Sequence, residues 1–85
     1  MKAMFSLDRL LPGEEAVVEY ISTKELLPRR LTDLGFVRGG RVRCRMQSAG
    51  GDPTAYQIRG TLIALRKADA GRIIVSQERA AAPWD

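Results

Sequence analysis

The chain has 85 residues, 45% of them hydrophobic and 28% charged, with a net charge of +4, no histidine and a single cysteine, Cys44. That length allows one small domain. Without histidine there is no imidazole base or histidine-activated nucleophile, and a single cysteine excludes both a disulfide within the chain and a CxxC site. Because no cluster of carboxylates takes their place, we expect a non-enzymatic binding or regulatory module without catalytic residues, cofactor or metal ligands.

The chain opens with a short apolar segment and a first strand. Residues 5–11 are mostly apolar, and Ser6 is placed to cap a brief helical turn. Pro12-Gly13 is a turn signal. Residues 15–21 are rich in β-branched and aromatic side chains, with apolar residues at every second position, so they predict a strand.

A helix is predicted after this strand. Ser22 and Glu25 have the spacing of a capping box. Three leucines follow at i, i+4 and i+7 and share one helical face: Leu27, Leu31 and Leu34. Because Pro28 fits the first turn of a helix and not its interior, we expect the helix to begin near Leu27 and this face to hold it on the rest of the fold.

Glycines mark the end of the helix and the turn that follows. Gly35 is a strong stop, since a left-handed cap costs other residues about 1–2 kcal/mol. Phe36 then occupies the position that folds back on the last helical turn in a Schellman motif. Gly39 belongs to a second turn, and Phe36 and Val37 are expected to be partly exposed there.

The second half of the chain predicts four more strands. Residues 41–46 alternate strictly, with Val42, Cys44 and Met46 expected on the buried side and three arginines on the other. Cys44 is therefore expected to be a small buried hydrophobe without redox function. Residues 54–59 and 61–66 form a hairpin around Gly60, and residues 72–76 form the last strand.

These elements predict an all-β fold: a small barrel of about five strands, with one short helix inserted between the first and second strands. Five short strands close most easily into a barrel because closure removes exposed edges. The domain is predicted to span residues 1–76. Residues 77–85, with an Ala run and Trp84, are predicted to form a loosely ordered tail.

The positive charge is concentrated in one part of the sequence. Residues 29–45 contain six arginines and one acidic residue: Arg29, Arg30, Arg38, Arg41, Arg43, Arg45 and Asp33. A solvated surface accounts for any one of them, whereas the group together indicates a surface that faces an anion. We rank an acidic protein surface first, the anionic membrane leaflet second and nucleic acid third, because single-strand readers interleave aromatic residues with basic ones.

The motif Arg30-Leu31-x-x-Leu34-Gly35-Phe36-x-x-Gly39 resembles the signature of the FeoA family, the small cytoplasmic partner of the bacterial ferrous-iron transporter FeoB. Four further motifs resemble that family in the same order: Leu11-Pro12-Gly13-Glu14, Gly51-Asp52-Pro53, Arg59-Gly60-x-x-Ile63-Ala64-Leu65-Arg66 and the segment 70–75. The resemblance covers residues 5–76. It implies an SH3-like barrel with a helix inserted after the first strand.

The resemblance also implies a function. It implies a non-enzymatic regulatory adaptor of ferrous iron transport, held at the inner face of the membrane by the cytoplasmic part of a FeoB-like, GTPase-coupled transporter. The candidate partner-binding residues are Arg29, Arg30, Leu34, Phe36, Val37, Arg38 and Arg43, and the structural turn glycines are Gly35, Gly39 and Gly60. Exposed strand edges leave self-association into a homo-oligomer open.

Two alternative functions are kept beside this one. The first is a small basic barrel that binds nucleic acid, for which local positive charge is sufficient. The second is a stand-alone relative of the C-terminal domain of DtxR-like metal-dependent repressors, which share this domain type. No helix-turn-helix region precedes the domain in this sequence, so a complete repressor is not expected.

Overall fold

The structure, a computed structural model, describes residues 2–22 and 28–78, of which residues 28–30 are described by their backbone alone. This part of the chain forms six strands, two short α-helices and a 3-10 turn. The strands are β1 (Lys2–Ser6), β2 (Glu15–Ile21), β3 (Arg41–Gln47), β4 (Thr54–Ile58), β5 (Thr61–Leu65) and β6 (Ile73–Glu78); the helices are α1 (Pro28–Asp33) and α2 (Lys67–Ala70), and the 3-10 turn is Leu7–Arg9.

All six strands belong to one antiparallel sheet with the order β1-β6-β2-β3-β4-β5. One side of this sheet encloses a single apolar core, so the sheet is curled into a small barrel whose free edges are β1 and β5. The core residues are Leu7, Leu10, Ala16, Val18, Leu31, Phe36, Val42, Cys44, Tyr56, Ile58, Leu65, Ala70, Ile73 and Val75. The predicted all-β barrel with a helix between residues 15–21 and 41–46 is confirmed.

The first strand, β1, was not predicted from the sequence. It pairs with β6 near the other end of the chain, with Phe5 opposite Val75. A five-residue strand whose partner lies so far along the chain leaves little local pattern to detect. The expected helical turn does follow as the 3-10 turn, but the Ser6 side chain makes no capping hydrogen bond.

The last strand, β6, is longer than predicted. It continues through Glu78, and Gln77 Nε2 donates a hydrogen bond to the carbonyl oxygen of Glu15 at 3.1 Å. Gln77 and Glu78 are therefore strand residues and not the start of a tail. Residues 79–85 lie outside the described residues, so the prediction of a loose tail with Trp84 stays a prediction.

Helix α1 begins at Pro28 and ends in the predicted Schellman motif. The Gly35 amide donates to the Thr32 carbonyl at 3.0 Å, and the Phe36 amide donates to the Leu31 carbonyl at 3.1 Å. These two bonds satisfy carbonyls that the last helical turn would otherwise leave unpaired. The predicted capping box and Leu27 involve residues 23–27, which lie outside the described residues.

The predicted apolar face of the helix is only partly correct. Leu31 is in the core, but Leu34 is 37% exposed. The last helical residue is Asp33, so Leu34 belongs to the cap and departs from the helical face that its spacing predicted. Leu34 therefore does not hold the helix on the barrel.

Two β-bulges turn predicted core residues outward. One lies in β2 between Val18 and Tyr20, and the other lies in β3 between Cys44 and Met46. Each bulge places two residues of one strand opposite one residue of its partner, which reverses the alternation beyond it. Tyr20 and Met46 are exposed for this reason, although strict alternation predicts that both are buried.

Candidate functional site

The outer side of β3 carries a row of arginines. Arg41 and Arg43 are exposed, whereas Val42 and Cys44 between them are fully buried. This alternation follows from the pleat of a strand that has one side in the core and one side in solvent. The predicted arrangement of this part of β3 is therefore confirmed.

A further arginine reaches the same region from the β4–β5 hairpin. Arg59 and Gly60 form the turn, with φ angles of +53° and +76°. Both positive angles are typical of the tight turns that connect antiparallel strands. Gly35 lies beneath Arg59, because a Cβ at Gly35 would be 3.2 Å from Arg59 Cδ. The helix cap and the hairpin thus meet at this point.

These residues line one shallow groove of about 430 Å³, which we call the basic groove. It lies on the outer side of β3 and β4. Its lining residues are Glu15, Arg41, Val42, Arg43, Arg45, Gln57, Arg59 and Gly60. Four arginines against one carboxylate give the lining a net charge of +3, so the groove is suited to bind anionic groups.

One carboxylate is shared between two of the arginines. Glu15 Oε1 lies 3.7 Å from an Arg41 guanidinium nitrogen, and Glu15 Oε2 lies 3.4 Å from Arg43. Such exposed ion pairs contribute about 0–1 kcal/mol. Within residues 2–22 and 28–78, neither Arg45 nor Arg59 has a carboxylate partner. The groove therefore keeps an excess of positive charge.

The groups suited to acid–base, nucleophilic or metal chemistry are sparse. Among the described residues, no three of His, Cys, Asp and Glu come together as metal ligands. Cys44 lies on the buried side of β3, and burial raises the pKa of its thiol, which keeps it in the unreactive protonated form. Burial also raises the pKa of Tyr56 to about 12, and its hydroxyl donates to the Leu7 carbonyl at 3.4 Å.

The predicted anchor residue Phe36 is not on the surface. It is 1% exposed, because the Schellman motif directs it back into the core beside Leu31. A residue in that position cannot contact a partner unless the barrel opens. The expectation that Phe36 is partly exposed is therefore wrong, and its burial argues against the predicted role in partner binding, while the neighbouring Val37 is half-buried.

The predicted arginine cluster divides into separate groups. Arg41, Arg43 and Arg45 line the basic groove together. Arg38 is exposed in the turn before β3, and its charge acts on Glu19, a residue outside that groove. Arg29 and Arg30 lie in the first turn of α1, and their side chains lie outside the described part of the chain. The three glycines predicted to shape turns all have positive φ angles: Gly35, Gly39 and Gly60.

Sequence reasoning missed two polar groups of the basic groove. Gln57 lies directly opposite Arg43, and Arg59 follows two residues later. Both residues were assigned to a hairpin whose register against β3 was unknown. The period-two pattern of residues 54–59 places Gln57 and Arg59 on the same side of their strand, but the sequence does not identify β3 as the neighbouring strand.

The outer side of β1, β6 and β2 differs because its charges are paired. Lys2 Nζ lies 2.9 Å from Glu19 Oε2, and the Ser76 hydroxyl donates to the same oxygen. The Ser76 hydrogen bond, the Lys2 hydrogen bond and the charges of Lys2 and Arg38 lower the pKa of Glu19, while partial desolvation opposes them. This side of the barrel therefore offers less uncompensated charge than the basic groove.

Comparisons with known proteins agree with this architecture. The FeoA domain model matches residues 5–77. The FeoA of Stenotrophomonas maltophilia, an SH3 domain protein complexed with zinc, is 34% identical over 89% of this chain and 99% of that chain, with a TM-score of 0.77. A FeoA-like protein from Clostridium acetobutylicum is 27% identical over 98% of this chain and 99% of that chain, with a TM-score of 0.83.

Other comparisons are less informative about function. T. acidophilum IdeR covers 89% of this chain with 35% of its own, at 19% identity and a TM-score of 0.76, which shows a shared fold alone. A search of curated proteins gives no match. None of the helices in the described residues has the length and apolar character needed to cross a membrane.

The family match covers most of the barrel. It extends from Phe5 in β1 to Gln77 in β6 and includes every residue of the basic groove. FeoA domains are non-catalytic accessory domains with a role in ferrous iron transport. An SH3-like barrel and a FeoA domain match over residues 5–77 show that this chain belongs to the FeoA family.

Proposed function

We propose that this chain is a regulatory adaptor that binds the cytoplasmic part of a FeoB-like transporter through its basic groove. The observation that carries the proposal is the exposed row of arginines on β3, with Arg59 beside it. Membership of the FeoA family supports the connection to iron transport. The transporter then holds this protein at the inner face of the membrane.

Binding alone is sufficient for regulation in this mechanism. A partner with two states shifts toward the state that the adaptor binds more tightly. A coupling of about 1–3 kcal/mol changes the ratio of the two states roughly 5- to 150-fold. The adaptor therefore needs no catalytic group, and a difference of a few contacts between the two transporter states is enough.

The residues have different roles in this proposal. Arg43 and the neighbouring groove arginines attract and orient an acidic surface, since charge complementarity chiefly raises the association rate and the specificity. Leu34, Val37 and Arg38 lie on the turn after α1 and form a second contact region. Phe36 and Gly35 hold that turn in shape from within.

The proposal is tested by titrating the ¹⁵N-labelled protein with the soluble cytoplasmic domain of the FeoB-like protein from the same source. The titration is run with and without a GTP analogue. We expect chemical-shift changes concentrated on residues 41–45, 57 and 59, with smaller changes at Leu34, Val37 and Arg38, that persist at moderate salt. The absence of binding in both nucleotide states would contradict the proposal.

A charge reversal tests the location of the surface. Arg43→Glu is expected to weaken binding at least about tenfold, because it removes an attraction and adds a repulsion. Its thermal stability should change little, since the exposed pair with Glu15 is worth about 1 kcal/mol at most. Arg9→Glu, an equal charge change on an exposed residue outside the groove, is the matched control. Equal loss of binding in both variants would place the contact elsewhere.

A further inference from the structure

The bulge in β3 turns Met46 toward the same side as the basic groove. Met46 lies opposite Ala55, and Ala55 lies opposite Ala64 of β5. Directly opposed residues of antiparallel strands point to the same side of a sheet. Met46, Ala55 and Ala64 therefore form a row across three strands, and Met46 is 62% exposed at its end.

The next row along the strands joins this apolar surface to the arginines. Arg43 lies opposite Gln57, and Gln57 lies opposite Leu62, which is 57% exposed. We call this apolar group of three exposed residues and the half-buried Ala55 the apolar strip: Met46, Ala55, Leu62 and Ala64. With strands about 4.8 Å apart, it spans roughly 10 Å across the sheet and adjoins the basic groove.

Two of the groove arginines are available to a ligand. Arg45 lies in the bulge beside Met46, and Arg59 follows Gln57 and Ile58. Neither has a carboxylate partner within the residues that the structure describes. Guanidinium groups bind carboxylates through paired, charge-assisted hydrogen bonds. Carboxylates are therefore the groups that complement this end of the surface.

The surrounding residues favour a protein segment over nucleic acid or lipid. Four aromatic residues lie in the described part of the chain. Phe36 and Tyr56 are buried, Phe5 packs against the core, and Tyr20 lies on the outer side of the β2–β6 pair. None of the four provides a stacking platform for a nucleic-acid base on this surface. Glu15 lies between Arg41 and Arg43, where it repels a dense row of phosphates. Exposed Met and Leu side chains next to arginines match apolar and acidic side chains of a polypeptide.

We propose that the outer side of β3, β4 and β5 binds an acidic segment in which carboxylates are followed closely by apolar side chains. The carboxylates lie on the basic groove and the apolar side chains cover the apolar strip. This inference rests on the proposed function only for the identity of the protein that supplies the acidic segment. Since the strip is about 10 Å across, three to four extended residues cover it.

Two synthetic peptides of equal length and equal negative charge test the proposal. The first, which we call the apolar peptide, carries a block of glutamates followed by a block of leucine and valine. The second, which we call the serine peptide, carries serine in place of each leucine and valine. Affinity is measured by isothermal titration, and contacts are mapped by NMR on the labelled protein. We expect the first peptide to bind about tenfold more tightly, since burying roughly 60 Å² of apolar surface gives a tenfold gain.

Paired variants show which residues produce this gain in affinity. The double variant Met46→Ser with Leu62→Ser should abolish the advantage of the apolar peptide without changing the affinity of the serine peptide. The matched control is Met4→Ser with Tyr20→Ser, which removes two similarly exposed apolar side chains from the other outer side. The double variant Arg45→Glu with Arg59→Glu should abolish the binding of both peptides.

Several results would overturn the proposal. Equal affinity for the two peptides would show that the surface is selective for charge alone. A higher affinity for the apolar peptide that persists in the Met46→Ser, Leu62→Ser variant would show that the apolar strip does not bind it. Tighter binding of a single-stranded oligonucleotide or of anionic vesicles than of the apolar peptide would assign the surface to another class of partner. Absence of binding of either peptide at low salt would also contradict it.

The experiment separates this inference from the proposed function. The peptides are tested without the transporter, so peptide binding without binding of the transporter domain would overturn the proposed function alone. Transporter binding that is weakened by Arg43→Glu but insensitive to the Met46 and Leu62 variants would overturn the inference alone.

Discussion

The turn between α1 and β3 and the outer side of β3–β5 both combine apolar and polar residues, but they present them differently. In the turn, the large apolar residue Phe36 is buried, and the backbone is tied to β2. The Gly39 amide donates to the Val18 carbonyl and the Val18 amide donates to the Gly40 carbonyl, both at 2.8 Å. On the outer side of the sheet, Met46 and Leu62 face solvent.

The difference shows that hydrogen-bond use and burial separate a structural segment from a contact surface. Backbone groups of the turn form hydrogen bonds with β2, and its aromatic ring packs in the core of the barrel. A sheet satisfies its backbone within its own plane, so the side chains on its outer side remain available to a partner. We therefore assign the turn chiefly to stability and the outer side of β3–β5 to recognition.

The largest expected effect that tests this assignment is the truncation of Phe36. Phe36→Ala should lower the free energy of unfolding by about 3–5 kcal/mol, because it leaves a cavity in a close-packed core. Met46→Ala should change it by no more than about 0.5 kcal/mol, as is usual for exposed side chains. Urea unfolding of the two variants measures both values. Similar losses for Phe36→Ala and Met46→Ala would break the distinction between the two regions.

A smaller effect is expected at Gly35, where the two regions touch. Gly35→Ala should cost about 1–2 kcal/mol for the left-handed backbone conformation, since φ is +113°. It should cost more than Gly13→Ala, because a Cβ at Gly13, whose φ is +89°, has no heavy atom within 4 Å in the described structure. The unfolding midpoints of both variants give the comparison.

The excess cost at Gly35 is expected to come from displacement of Arg59. If it does, Gly35→Ala should also weaken peptide binding at the basic groove, whereas Gly13→Ala should not. Equal unfolding midpoints would mean that the Arg59 side chain moves aside freely and that the helix cap does not position it.

Much of the fold could be predicted because its signals are local. The strict alternation of residues 41–44, the β-branched residues 15–21 and the Gly35 cap each depend on neighbours within a few positions. The bulges at Tyr20 and Met46 could not be predicted in this way. A bulge depends on how two strands pair across the sheet, and the alternation within one strand does not report it.

The candidate site was partly predictable for the same reason. Arg43 was recognised from the charge pattern of its own strand. Leu62 and Arg59 join it only through the pairing of β3 with β4 and of β4 with β5. Phe36 shows the opposite error, because its position in a turn predicts partial exposure, whereas the geometry of the helix cap directs the ring into the core.

A further prediction concerns the side of the barrel where charges are already paired. Hydrogen bonds from Ser76 and Lys2 lower the pKa of Glu19 below its ordinary value of 4.5. A carboxylate with a lowered pKa stabilises the fold above that value, and this stabilisation is lost as the pH falls through the lowered pKa. Glu19→Gln should therefore lower the melting temperature at pH 7.

The pH dependence provides the check on Glu19. The difference in melting temperature between Glu19→Gln and the parent should shrink as the pH is lowered from 7 through the lowered pKa of Glu19, below which the parent carboxyl is protonated as well. Scanning calorimetry across this range measures it. A difference that is constant with pH would mean that the effect is one of shape and not of charge.

The smallest expected effect is at Glu15, the single carboxylate of the basic groove. It occupies guanidinium nitrogens of Arg41 and Arg43 that a ligand would otherwise use. Glu15→Gln removes this competition and raises the net charge of the groove lining from +3 to +4. We expect the apolar acidic peptide to bind about two- to threefold more tightly at low salt, while the free energy of unfolding changes by no more than about 1 kcal/mol.

The direction of this change in affinity shows which role Glu15 has. Tighter binding that fades as salt is added means that Glu15 competes with the ligand, because added ions screen exposed charges. Weaker binding at every salt concentration means that Glu15 instead holds Arg41 and Arg43 in the geometry that the ligand needs. Asp33→Asn, an equal charge change on an exposed residue at the end of α1, controls for the general effect of net charge. If both variants tighten binding equally, the effect comes from the net charge of the protein and not from the groove.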